Sequence, residues 1–173
     1  MATSAELLVD GFGRIRESVA DVLGGLTGEQ LAYQIDADAN PVSWLVWHLT
    51  RVQDDHVAAA FGVPQVWSSE GWATRLGLPE RMMDHGYGHT SSQVASIAAA
   101  CAASGLLGEY HEAVYAQTVK LVADISDADL DRVVDRRWTP PVTLAVRLVS
   151  VLDDDMQHVG QAAFVRGILL RKG

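Results

Sequence analysis

Cysteine is all but missing from this chain. Cys101 stands alone, which excludes an internal disulfide and any cluster of thiolate ligands. No neighbouring motif activates it, so it reads as a small buried side chain. Positive charge is scarce as well: 13 Lys and Arg stand against 22 Asp and Glu, for a net charge of -9. Nucleic-acid affinity rests on clustered cations, and Arg132, Arg136 and Arg137 are too few to make such a face. No apolar run approaches the roughly 20 residues needed to span a bilayer. Residues 1–6 carry no basic stretch ahead of an apolar core, as a secretory leader would. The expectation is a cytoplasmic protein that binds neither nucleic acid nor membrane. The acids Asp124, Asp127, Asp129 and Asp131 lack the glycine and terminal glutamate of a calcium loop and read as solvated turn residues.

What the chain does have is apolar periodicity. At 49% hydrophobic over 173 residues it can bury a substantial core, and residues 1–173 read as one domain. Leu7, Leu8, Phe12, Ile15, Val19 and Leu23 recur at spacings of three and four, predicting a helix over 4–23 that Gly24-Gly25 ends. Asn40 as cap and Pro41 at the first helical position open a second helix, which runs to about Phe61 ahead of Gly62 and Pro64. Residues 63–89 hold four glycines, two prolines, Trp67 and Trp72, and read as a long connection with a short helix near 71–76. Thr90 and Gln93 form a capping box for a short helix to about Ala100. Leu106, Leu107, Tyr110, Val114, Val119 and Val122 mark a third long helix, and Ser126 caps a turn. Residues 131–138 are strand-like but without a partner strand. Thr139-Pro140-Pro141 then forbids a helix before about Thr143, and the fourth helix runs to about Leu170. The fold class expected is all-α, a four-helix bundle with no sheet. Its long crossover between the second and third helices lets those two run in the same direction.

Polar residues on the apolar stripes need a reason. His158 faces the bundle with Val151, Ala162, Val165 and Leu169. Asp154, one turn earlier, lies about 40° from it on the helical wheel, and Asp155 about 60° away on the other flank, so the wheel does not choose between them. Asp153 points elsewhere and is solvated. His48 on the second helix supplies another imidazole. One carboxylate and two imidazoles make a three-ligand divalent site whose remaining positions stay open, as in catalytic rather than structural centres. Asp55 lies two turns beyond His48, too far for the same shell. It could orient a ligand from outside that shell or pair with Arg51 at i, i+4, and Gln161, one turn beyond His158, could act similarly.

The stretches Trp44-Leu45-Val46-Trp47-His48-Leu49, Asp154 with Met156-Gln157-His158-Val159-Gly160-Gln161, and Val165-Arg166-Gly167 resemble the DinB-like metalloprotein superfamily, which includes mycothiol-dependent maleylpyruvate isomerase. Gly86-Tyr87-Gly88-His89-Thr90 adds a likeness to its single-domain mycothiol S-transferases. The isomerase's additional C-terminal domain has no counterpart in these residues, so the transferase branch is the expectation. The resemblance implies a DinB-type bundle with His48, Asp154 and His158 as metal ligands, and thereby selects Asp154 over Asp155. Asp stands at 154 where relatives carry Glu or His. It further implies a divalent cofactor, Zn²⁺ first and Ni²⁺, Mn²⁺ or Fe²⁺ next. Mycothiol or a related thiol would be the cosubstrate, with a small electrophile as acceptor, a role in detoxification, and a homodimer.

Two other readings are open to the residues: a metal-binding stress-response protein without turnover, and a metal-dependent hydrolase with Asp55 as its one evident base. His56 and His111 read as surface or packing side chains. His85 and His89 serve turn chemistry or access to the site, and Trp44, Trp47, Trp67 and Trp72 pack the core or line a pocket.

Overall fold

A computed structural model describes residues 2–172. Helix α1 spans Ser4–Leu23 and opens with a reciprocal capping box between Thr3 and Glu6. A short turn of helix, α2 (Gly28–Leu31), too short for apolar spacing to mark, carries a similar box between Thr27 and Gln30. Helix α3 covers Val42–Phe61. Pro41 sits at its N-cap rather than inside its first turn, one position earlier than expected, and Gly62 closes it at φ 67°. The crossover carries α4 (Val66–Ser69) and α5 (Trp72–Arg75), and α6 (Ser91–Ser104) follows, a turn longer than its apolar pattern suggests. Helix α7 is Leu107–Val122, a 3₁₀ turn occupies Asp127–Asp131, and α8 runs Leu144–Lys172.

The strand-like segment does find a partner, which corrects the expectation of no sheet. Strand β1 (Val133–Asp135) pairs antiparallel with β2 (Val142–Thr143). The prolines that forbid helix before Thr143 sit in the turn of this hairpin. Its ends are anchored by Arg132, which donates to the Ala60 carbonyl, and by Asp135, which accepts from Arg147 at 3.2 Å. Two short strands leave the fold class unchanged.

Helices α1, α3, α7 and α8 form a ring in which α3 packs most extensively on α8. Thr50 meets His111, and Gln53 meets Thr118, so α3 and α7 run in the same direction, as a crossover requires. His48 meets His158 while His56 meets Arg147, so α3 and α8 are antiparallel. Nearly every residue of α3 from Val42 to Asp54 is buried, because α1, α6, α7, α8 and the crossover cover it on all sides. Its apolar residues fill the core, and its buried polar ones, Ser43, Thr50, Arg51, Gln53 and Asp54, are each hydrogen-bonded. Trp47, Trp67, Trp72 and Tyr110 pack edge and tilted against one another under the crossover, each ring contributing a few kcal/mol by burial. Among the described residues no single helix is long and apolar enough to cross a membrane.

Candidate metal centre

Antiparallel packing of α3 on α8 sets the level at which side chains meet. His48, one turn after Trp44, stacks on that indole at 4.7 Å and 9° between planes. On its other side the ring meets His158 edge-on, with 4.7 Å between centroids. His158 and Asp154 sit one turn apart on α8, with Nε2 3.7 Å from Oδ1. Donor atoms of His48, Asp154 and His158 all lie within 4.8 Å of one another. Donors around one tetrahedral ion at about 2.1 Å stand about 3.4 Å apart, so the widest separation must close by about 1.4 Å, a shift that rotamer adjustments shared between two side chains supply.

Each imidazole is oriented from behind. The Nδ1–H of His48 donates to the carbonyl of His85, and the Nδ1–H of His158 donates to Gln161 Oε1 at 2.9 Å. Both contacts fix the tautomer and leave Nε2 as the lone-pair nitrogen, the usual arrangement behind a ligating histidine. Burial pulls the His48 pKa down to about 4, helped by the neighbouring His158, His85 and His89, so the ring is neutral and able to ligate. Asp154 is pushed the other way. Burial raises its carboxyl above the usual range, against the pull of His158, His56 and His85, and Oδ2 is buried with no hydrogen-bond partner. A buried carboxylate oxygen without a donor, placed beside two lone-pair nitrogens, leaves room for a cation or a water. The residues therefore fit a divalent ion.

The loop that supplies the His85 carbonyl is held in place by α3 itself. Arg51, fully buried, donates to the carbonyls of Met83 at 3.1 Å and Asp84 at 3.4 Å, to Gln65 Oε1, and to Asp54. Its guanidinium also lies over Trp67 at 4.6 Å. Asp84 Oδ1 accepts from the Gly86 amide and from His89 Nε2, and the His89 ring stacks on Trp47. Gly86 has φ 95°, and a Cβ there would stand 2.8 Å from Trp47, 2.9 Å from Trp44 and 3.2 Å from His48. Only glycine lets this backbone approach the His48 ring so closely.

The remaining expected residues fall into place around this core. Asp155 lies outside the donor group; it is fully buried, with both oxygens unpartnered. Asp55 does not pair with Arg51. It accepts from Gln65 Nε2 at 2.6 Å and lies 3.6 Å from His56, while Arg51 takes Asp54 at i, i+3. His111 is buried, its Nδ1 3.1 Å from Thr50, and His56 accepts from Arg147. Trp44, Trp47, Trp67 and Trp72 are all core residues. Sequence reasoning missed the Asp54–Arg51–Tyr110 network and the His85 carbonyl. The available signal for the first was Arg51, in line with Trp44 on the apolar stripe and followed three residues later by Asp54, since a charge on a buried face must be paired.

Fold and donor set define a class: a DinB-type four-helix bundle with a candidate open centre of two imidazoles and a carboxylate between its second and fourth long helices. The mycothiol-S-transferase family model matches residues 7–170, and the chain belongs to that family. The crystal structure of a conserved protein from Enterococcus faecalis is similar, with a TM-score of 0.86 and 30% identity over 98% of this chain and 99% of that one. No curated protein matches the chain.

Proposed function

We propose that this chain is a divalent-metal-dependent mycothiol S-transferase of the cytoplasm, with His48, Asp154 and His158 as metal ligands and a small electrophile as acceptor. Membership of the family supports the transfer reaction and its thiol. The observation that carries the metal reading is the orphaned Oδ2 of Asp154, buried beside two imidazoles whose Nδ1 atoms are already engaged. A bound divalent ion, Zn²⁺ by first preference for this mixed donor set, supplies the Lewis acidity that lowers a thiol's pKa and favours its thiolate near neutral pH.

The chain's own residues do the positioning. His48 is held by the His85 carbonyl and the Trp44 face, His158 by Gln161, and the aromatic wall of Trp44 and Trp47 excludes water behind the ligands. No protein nucleophile is required; Cys101 is buried in the core, its thiol pushed up to about 12. Asp55 is engaged by Gln65 rather than aimed at the donors, which favours thiol transfer over a hydrolase needing a general base.

The test is metal analysis of the wild type and His158→Ala, followed by conjugation of mycothiol to a bimane electrophile with and without added metal. About one equivalent of metal in the wild type, loss in the variant, and metal-dependent conjugation are expected. Equal metal in both removes His158 from the site. Metal binding without conjugation of any of several thiols leaves the non-catalytic stress-response reading in its place.

A further inference from the structure

We propose that the groove between the start of α3 and the last third of α8 binds an uncharged apolar group, which on the transferase reading above is the apolar arm of the electrophile. The seam between α3 and α8 has a cavity at each end and the candidate metal ligands between them. At one end, a cavity of about 430 Å³ is lined by Asn40, Leu45, Gly160, Gln161, Phe164 and Val165. At the other, a cavity of about 240 Å³ is lined by Asp55, His56, Asp135, Arg136, Arg137 and Arg147.

The two ends differ in charge. The second is bordered by three guanidinium groups and two carboxylates, an environment that an uncharged hydrocarbon gains nothing by entering. The first has no charged side chain in its wall. Leu45, Val165 and Phe164 supply apolar surface, the Phe164 ring being 66% exposed, and Asn40 and Gln161 supply the few polar groups that orient a ligand. This groove also adjoins the ligand set. Gln161 in its wall holds His158, and Leu45 lies one turn before His48 on the same helix. Phe164, six residues past His158, stands about 9 Å along the axis from it, the reach of a fused aromatic system from a reacting carbon.

Gly160 makes the inference testable without disturbing the fold, because a Cβ added there meets no atom within 4 Å and its φ is helical. Gly160→Leu fills groove space while improving helix propensity. The full chain, metal-loaded, is assayed with mycothiol and two electrophiles: an aromatic bimane and the much smaller iodoacetamide. A rise of about tenfold or more in KM for the bimane is expected, with less than about a twofold change for iodoacetamide and unchanged metal content.

Binding of Nile red, an uncharged aromatic dye, is measured in parallel and needs no turnover. Saturable binding by the wild type, weakened about tenfold in Gly160→Leu and in Phe164→Ala, sustains the groove. It does so even where neither electrophile is conjugated, and that result sinks the transferase reading alone. No saturable dye binding by the wild type, or equal binding in wild type and variants, overturns the groove. So does a Gly160→Leu that splits a dimer in sedimentation while leaving dye affinity unchanged, which would make this face a contact between copies.

Discussion

Two carboxylates, Asp54 fully withdrawn from solvent and Asp154 only half-buried, end in opposite conditions. On α3, Asp54 is saturated: its oxygens accept from the amides of Val66 and Trp67, from Arg51 and from the Tyr110 hydroxyl. On α8, Asp154 has a free buried oxygen and only imidazoles for company, and its neighbour Asp155 has two. The difference teaches what each carboxylate is for. A saturated buried acid with a guanidinium partner ties the crossover to the bundle; an unsaturated one beside lone-pair nitrogens is, on the proposed reading, where a cation would sit.

Breaking the saturated side should have the largest effect. Asp54→Ala leaves Arg51 charged and uncompensated in the core, and a loss of about 3–5 kcal/mol is expected in chemical denaturation. A loss below about 1 kcal/mol would mean that the network is not a structural tie. On the open side, Asp154→Ala is expected to lower metal affinity by about 100-fold or more in chelator competition, beyond what loss of an outer hydrogen bond does. The metal-free variant should be no less stable than the metal-free wild type; parallel loss of stability would place Asp154 with Asp54 in kind.

Asp155→Leu sharpens the same contrast. Removing a fully buried carboxyl without partners is expected to stabilise the metal-free protein by about 1–3 kcal/mol, and a fall in melting temperature would reveal a partner for it. The smallest effect belongs to the loop. Gly86→Ala pushes the 84–89 backbone off Trp44, Trp47 and His48, loosening the His85 carbonyl, so metal affinity should drop by about tenfold with the circular dichroism spectrum unchanged. Unaltered affinity would show that His48 needs no support from behind.

The long helices were legible because their apolar spacing and glycine stops agree, as in α1, which spans Ser4–Leu23 and stops at Gly24. The hairpin was not, since β2 is two residues long and carries no alternation of its own. The pairing of Arg51 with Asp54 instead of Asp55 depends on where the crossover brings Gln65, Val66 and Met83, which no local pattern encodes. The grouping of His48, Asp154 and His158 followed from helical periodicity and family likeness. The backbone carbonyl behind His48 could not follow from either, because backbone atoms leave no trace in residue identity. The one hint was Gly86, standing where any side chain would strike two indoles.

The antiparallel seat of α3 on α8 also governs when the candidate metal centre can assemble. His48 emerges from the ribosome roughly a hundred residues before Asp154 and His158, so a partly synthesised chain displays one imidazole and nothing to share an ion with it. The donors meet only after α8 has closed on α3, a contact between segments about a hundred residues apart and of a kind that is slow to form. On the metal reading proposed above, ion uptake would thus report the docking of α8 on α3, giving the docked form alone the extra free energy of the bound ion.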